Sequence, residues 1–145
     1  MRLHLADESA TEALAQRLAE RARPGDALLL SGPLGAGKST FARAFIRALA
    51  ENPKLTVPSP SFTLVQAYET PGGPEIWHYD LWRLDGPAGL AELGWDETDQ
   101  RIVLVEWPER LGPLAPEHSL RLTLSPAGTG REIVLDGEDR WLHGL

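Results

Sequence analysis

The sequence predicts an α/β domain with a mixed β-sheet flanked by helices, and three observations carry that prediction. A short apolar run, "ALLLS" at 27–31, leads through a glycine-rich stretch into "STFARAFIRALAEN", where Phe41, Phe45, Ile46 and Leu49 recur at helical spacing. A second apolar run, "RIVLVEW" at 101–107, is the strongest buried strand in the chain. The closing stretch, "SLRLTLSPAGTGREIVLDGE", alternates apolar and polar residues on either side of a Gly/Pro turn and reads as a C-terminal β-hairpin. The strand–loop–helix unit implies parallel pairing and the hairpin antiparallel pairing, so the sheet is mixed.

Taken in order, the first element is a helix in "SATEALAQRLAERARPGD". Ser9 and Glu12 have capping-box spacing. Leu14 and Leu18 share a face with Ala10, Ala15 and Ala22, and Arg21 and Arg23 suit a helix C-terminus that Pro24-Gly25 closes. The strand at 27–31 and the helix "STFARAFIRALAEN" follow. "VPSPSF" interrupts regular structure with prolines, and "FTLVQAY" at 62–68 resumes as a strand rich in β-formers. "TPGGP" is a turn, "EIWHYDLW" a strand with Asp80 near its end, and "GLAELGWDE" a short helix. After the strand at 101–107, "PERLGPLAP" reads as a proline-punctuated loop leading to the hairpin.

The totals bound the function. A chain of 145 residues is most simply one domain, 1–145, large enough to bury about two thirds of its unfolded surface. The 14 basic and 21 acidic side chains leave a net charge of −7, and the arginines are dispersed. A protein that grips RNA or DNA by itself usually carries a basic face, so no direct nucleic-acid partner is expected. No run reaches the ~18 apolar residues of a membrane span, and "MRLHLADESATEALAQ" turns polar before a signal core forms. With no cysteine, disulfides and thiolate metal sites are excluded. Together these features suit the cytoplasm.

The chemistry concentrates in "SGPLGAGKST" at 31–40. Gly32, Gly37, Lys38 and Ser39 satisfy G-x-x-x-x-G-K-[ST], and the pattern lies between a strand and a helix, as a phosphate loop requires. The backbone from Gly32 through Pro33, Leu34, Gly35 and Ala36 to Gly37 is expected to turn N–H groups toward phosphate oxygens. Lys38 supplies charge at the outer phosphates, the Ser39 hydroxyl a ligand for Mg2+, and Thr40 continues into the helix N-terminus. The fold class sharpens accordingly to a single-domain P-loop NTPase.

Such a loop works with an acid at the end of an apolar strand, and two positions qualify. Glu106 ends the purer run and is the better partner for the metal by pattern; Asp80 serves as a second metal-shell acid or orients the attacking water. A solvated acid at a strand end is the plain alternative for each. Ser59, Ser61 and Thr63 offer hydroxyls on a proline-stiffened segment suited to sensing a γ-phosphate, although an ordinary serine-capped loop has the same composition. Trp107 offers a π-face to a base, or a core aromatic. His4, His78, His118 and His143 have no ligand spacing and read as structural or surface residues. Neither a D-x-x-G nor an N-K-x-D string marks a GTPase, which favours ATP/ADP with Mg2+. A small kinase using Asp80 as base and a non-catalytic nucleotide-gated binding module remain the alternatives to an ATPase that acts on partners.

"GPLGAGKST", "SPSFTLV", "HYDLWRL" and "LVEWPER", in this order and spacing, resemble the bacterial TsaE (YjeE) ATPase family. The resemblance runs from the first helix to the terminal hairpin. It implies service in making the threonylcarbamoyl group on adenosine 37 of tRNAs that read ANN codons. It further implies weak Mg2+-dependent ATP hydrolysis that rises in a complex with the TsaB and TsaD proteins. TsaD transfers the group, the ATPase step resets the machine, and tRNA is met only indirectly. Carried onto this chain, Lys38, Asp80 and Glu106 become catalytic, Ser39, Asp80 and Glu106 metal-binding, and Trp107 the tryptophan near the adenine. "SPSFTL" resembles the family's switch-like segment, with Ser61 where threonine is common. Pro33 stands where an acid is frequent. Trp77, Trp82, Trp95 and Trp141 are left as core or docking residues.

Overall fold

The computed structural model describes residues 1–145. Strands β1 (Arg2–Leu5), β2 (Ala27–Ser31), β3 (Val65–Tyr68), β4 (Ile76–Asp80), β5 (Ile102–Glu106), β6 (Ser119–Ala127) and β7 (Gly130–Asp136) form one sheet in the order β1-β7-β6-β2-β5-β4-β3. Helices α1 (Glu8–Arg21), α2 (Lys38–Ala50) and α3 (Asp139–Leu142) complete the regular structure. β2 sits at the centre, parallel to both β5 and β6, and β4 runs parallel to β5. The antiparallel members lie outside: β3 on β4 at one edge, the β6–β7 hairpin and β1 at the other.

The apolar run at 27–31 is continuous because β2 is covered on both faces. Leu28 and Leu30 join α1 and α2 in one core with Leu14, Leu18, Phe41 and Phe45. Ala27 and Leu29 point the other way, into a second core with Tyr79, Leu90, Trp95 and Val105. Long helices cover only the first face. On the second face, "GLAELGWDE" folds not as one helix but as short 3₁₀ turns, Pro87–Gly89, Ala91–Leu93 and Trp95–Glu97. Gly94, at φ 73°, breaks the last two apart. The stretch expected as a loop after β5 likewise coils into 3₁₀ turns over Pro108–Leu114.

Other boundaries shift for local reasons. α1 is capped by Asp7, whose carboxylate accepts the Ala10 N–H at 2.9 Å, and not by Ser9, which lies inside the helix. The short strand β1 causes this, because it delivers the chain in extended conformation to Asp7, two residues past its end. β3 covers 65–68 instead of 62–68. The preceding residues curl so that the Leu64 N–H reaches the Pro60 carbonyl at 2.6 Å, with Leu64 left-handed at φ 69°. β1 and α3 carry too few residues for periodicity to show; α3 is held by buried Trp141 and by Arg140 on Asp26.

Candidate functional site

The glycine loop leaves the carboxyl end of β2, at the centre of the sheet, where ligands of open α/β folds lie. Gly32 has φ 145°, and a Cβ there would stand 2.4 Å from the Leu124 carbonyl oxygen, so the close pass of loop and β6 admits only glycine. Gly37 is left-handed at φ 102° and caps α2 with no side chain, which leaves the first N–H groups of the helix for another acceptor. Ala36 is fully buried under the loop, while Pro33, Leu34 and Gly35 are exposed on its outer rim. Lys38 is 6% exposed; its ammonium donates to the Gly32 carbonyl at 2.7 Å and lies 4.4 Å above the Trp107 ring. Ser39 faces solvent in the first turn of α2, with Thr40 half-buried beside it.

Both acids end their strands side by side. β4 and β5 are parallel with Asp80 opposite Glu106, and Leu30 of β2 is opposite Glu106 in turn. Alternation along β4 and β5 puts Ile76, His78 and Asp80 on one face with Ile102, Leu104 and Glu106. Ile76, Ile102 and Leu104 belong to the core beneath α1 and α2, so both acids face the side on which the loop and α2 sit. Each is nearly buried, Asp80 at 5% and Glu106 at 6%.

Both oxygens of the Asp80 carboxylate accept hydrogen bonds. Oδ1 accepts the Trp82 N–H at 3.1 Å, and Oδ2 accepts the Ser61 hydroxyl at 3.0 Å and, more weakly, that of Ser59 at 3.4 Å. The two serine hydroxyls are 2.8 Å apart. The segment 59–61 is thereby fastened to a strand-end acid. Thr63 is not brought there: its hydroxyl accepts from Gln66 Nε2 at 3.1 Å, in solvent.

Glu106 has a partner that sequence reasoning missed. His78 Nε2 lies 2.7 Å from Glu106 Oε2, with both side chains buried. A carboxylate oxygen accepts, so Nε2–H is the donor of this contact, and Nδ1 is buried without a partner. His78 therefore is neither surface nor inert core. The signal was its place two residues before Asp80 on a strand, which puts both on one face.

Trp107 follows Glu106 and, by strand alternation, belongs on the opposite face. It packs there against the rim of the second core, and a left-handed backbone at φ 60°, ψ 53° also brings its ring to the Lys38 ammonium and to Trp82, 4.6 Å between ring centroids. A cleft lined by Ser31, Gly32, Pro33, Lys38, Trp107 and Glu109 opens beside it. Trp95 and Trp141 are buried core residues, and Trp82 is half exposed. Ser39, Asp80 and Glu106 would offer a metal only oxygen donors, the type that suits Mg2+.

Comparison with known proteins gives a consistent result. The family model of the threonylcarbamoyl adenosine biosynthesis protein TsaE matches residues 5–133. A tRNA threonylcarbamoyladenosine biosynthesis protein TsaE of Rickettsia felis is 42% identical over 109 residues, 74% of this chain. The match spans 62% of that relative's length. The protein of the same name from Bacillus subtilis is 36% identical over 127 residues, 86% of this chain and 77% of its own. The crystal structure of Bacillus subtilis YdiB superimposes with a TM-score of 0.76 at 30% identity, over 98% of this chain and 88% of that one.

Proposed function

The chain belongs to the TsaE family of threonylcarbamoyl adenosine biosynthesis proteins, and from that premise we propose that it is an Mg2+-dependent ATPase serving threonylcarbamoylation of adenosine 37 in tRNA through TsaB and TsaD. The observation that carries this reading is the pair of buried strand-end carboxylates, Asp80 and Glu106, in register on the face occupied by the loop lysine.

In this reading the backbone of Gly32–Gly37 and the first turn of α2, with Ser39 and Thr40, hold the phosphates of ATP or ADP. Lys38 gives up its contact with the Gly32 carbonyl to pair with phosphate oxygens, and Trp107 walls the site above it. Ser39, Asp80 and Glu106 are the residues that hold the metal. A bound Mg2+ would supply positive charge against the charge that develops on the phosphates. His78 holds Glu106 Oε2, which leaves Oε1 as the oxygen directed toward the metal.

The Asp80–Ser61–Ser59 linkage supports a switch: any change in the ligands of Asp80 is transmitted to the segment 59–63, Thr63 included, where a partner protein reads it. The acidic net charge of −7 and the dispersed arginines support contact with tRNA through partners rather than directly, in the cytoplasm. The test is phosphate release from ATP by the purified chain, with and without TsaB and TsaD. Slow release that rises when both are added is expected; no ATP binding and no stimulation would overturn the reading.

A further inference from the structure

Trp82 and Arg83 are the two corner residues of one tight turn, which the Leu84 N–H closes on the Leu81 carbonyl at 3.0 Å. Leu81 is fully buried and its N–H donates to the Glu106 carbonyl at 3.1 Å, while Leu84 packs on the second core. The ends of the turn are therefore fixed, and its corners meet different neighbours. Trp82 packs on Trp107 with 4.6 Å between ring centroids and 47° between the planes. Arg83 sets its guanidinium 4.6 Å above the Phe62 ring and forms no ion pair. Phe62 is 83% exposed and follows Ser61, whose hydroxyl Asp80 already holds at 3.0 Å. A single turn thus reaches the lysine end of the site and the segment 59–63 at once.

Trp107 supplies the bias in this arrangement. A bulky residue at φ 60° sits in the left-handed region, an unfavourable backbone that its neighbours must hold in place. The Lys38 ammonium, 4.4 Å from the ring centroid, is one such neighbour and Trp82 is another. Phosphates that draw Lys38 away remove the first. We propose that Trp82 is a positioning residue of the ATPase. It passes the departure of Lys38 from Trp107 through the turn to Arg83 and Phe62, and so loosens the segment 59–63 when nucleotide is bound. Trp82 acts through Trp107 and Arg83, not on the phosphates. Its own N–H donates to Asp80 Oδ1 at 3.1 Å, which ties the same movement to the acid that holds the serines. The proposal rests on the nucleotide reading above and adds the route by which the loop lysine reaches the segment.

The chain has no cysteine, so Thr63→Cys puts a single thiol on the exposed part of the segment. The rate at which this thiol reacts with an aromatic disulfide reagent is followed by absorbance, with and without saturating ATP and Mg2+. ATP should quicken the reaction about fivefold, the factor that one exposed cation–π contact is worth. Adding Trp82→Ala should abolish this response while calorimetry finds ATP binding within about twofold of the parent. Trp82→Phe, which keeps a ring against Trp107, should retain most of the response. Thermal melting checks that each variant folds, and Trp82→Leu, which keeps apolar bulk without the ring, replaces Trp82→Ala if that variant does not. A Thr63→Cys chain that binds ATP with an unchanged or slower thiol reaction overturns the proposal. So does a ringless variant that still responds as its parent does. A loss of ATP affinity of about tenfold in the ringless variant would instead put Trp82 in the wall of the ligand site. If the unmodified chain binds no ATP, the nucleotide reading itself falls, and this route with it.

Discussion

His78 and Glu106 show how one contact alters the reading of a site. A histidine donor that occupies one carboxylate oxygen fixes the rotamer and leaves the other oxygen directed, as outer partners do around metal ligands. His78→Ala should lower the ATP turnover number roughly 10–100-fold while the ATP dissociation constant changes little. His78→Gln, which keeps an N–H donor, should recover part of the rate; equal turnover in both variants would reduce His78 to packing. Glu106→Ala and Asp80→Ala should likewise cost turnover more than affinity, whereas Lys38→Ala should weaken ATP binding itself, all measurable by phosphate release and calorimetry. Gly32→Ala has a different fate. Its Cβ meets the backbone carbonyl of Leu124 rather than a mobile side chain, so a loss of about 1–3 kcal/mol in denaturant unfolding is expected. At this scale the sequence named the loop, the lysine and both acids. The histidine shows no ligand spacing along the chain because it reaches Glu106 only across the pairing of β4 with β5.

Elements are tied together by a few polar contacts that are local in space and distant in sequence. Tyr79 on β4 donates its hydroxyl to the Leu93 carbonyl at 2.9 Å, which pins the 3₁₀ turns to the second face of the sheet. Burial pushes its phenol well above the ordinary value of 10.0, with Arg101 opposing and Glu97 assisting. The folded chain thus holds this proton more tightly than the unfolded chain. The stabilisation is complete below pH 10 and is lost progressively as pH rises from there toward the folded value. Tyr79→Phe should therefore flatten the fall of stability in alkaline urea titrations. α3 is tied in a similar way. Arg140 donates to both oxygens of Asp26, at 2.5 and 3.2 Å, and Asp26 also accepts the Arg23 N–H at 2.6 Å. Arg140→Ala leaves that nearly buried carboxylate with one partner, and about 1–3 kcal/mol should be lost in urea unfolding. Helices α1 and α2 were legible from helical spacing, β6 and β7 from alternation about a turn, and β2, β4 and β5 from runs of apolar and β-forming residues. α3 and β1 have four residues each, too few for any period, and the 3₁₀ turns at 87–97 look helical until Gly94 is seen to interrupt them.

For the molecule as a whole, net charge and sheet order set what it meets. With 21 acids against 14 bases and no basic run, the isolated chain should give no mobility shift with tRNA, and a shift should emerge only when TsaB and TsaD are present. A shift by the chain alone would revise the partner-mediated reading. Sequence alone determined the α/β class, the central buried strand, the phosphate loop and the acids that follow apolar runs, because each depends on residues close together along the chain. Only the tertiary structure decided that β6 inserts beside β2 in parallel, with β5 on its other flank. That order puts Asp80 next to Glu106, His78 behind it and Arg131 beside Gly37, at separations of 26, 28 and 94 residues. Local patterns fix which face a side chain takes. Which strands become neighbours is settled by how the apolar faces of all seven close on two cores at once, and no single segment contains that information.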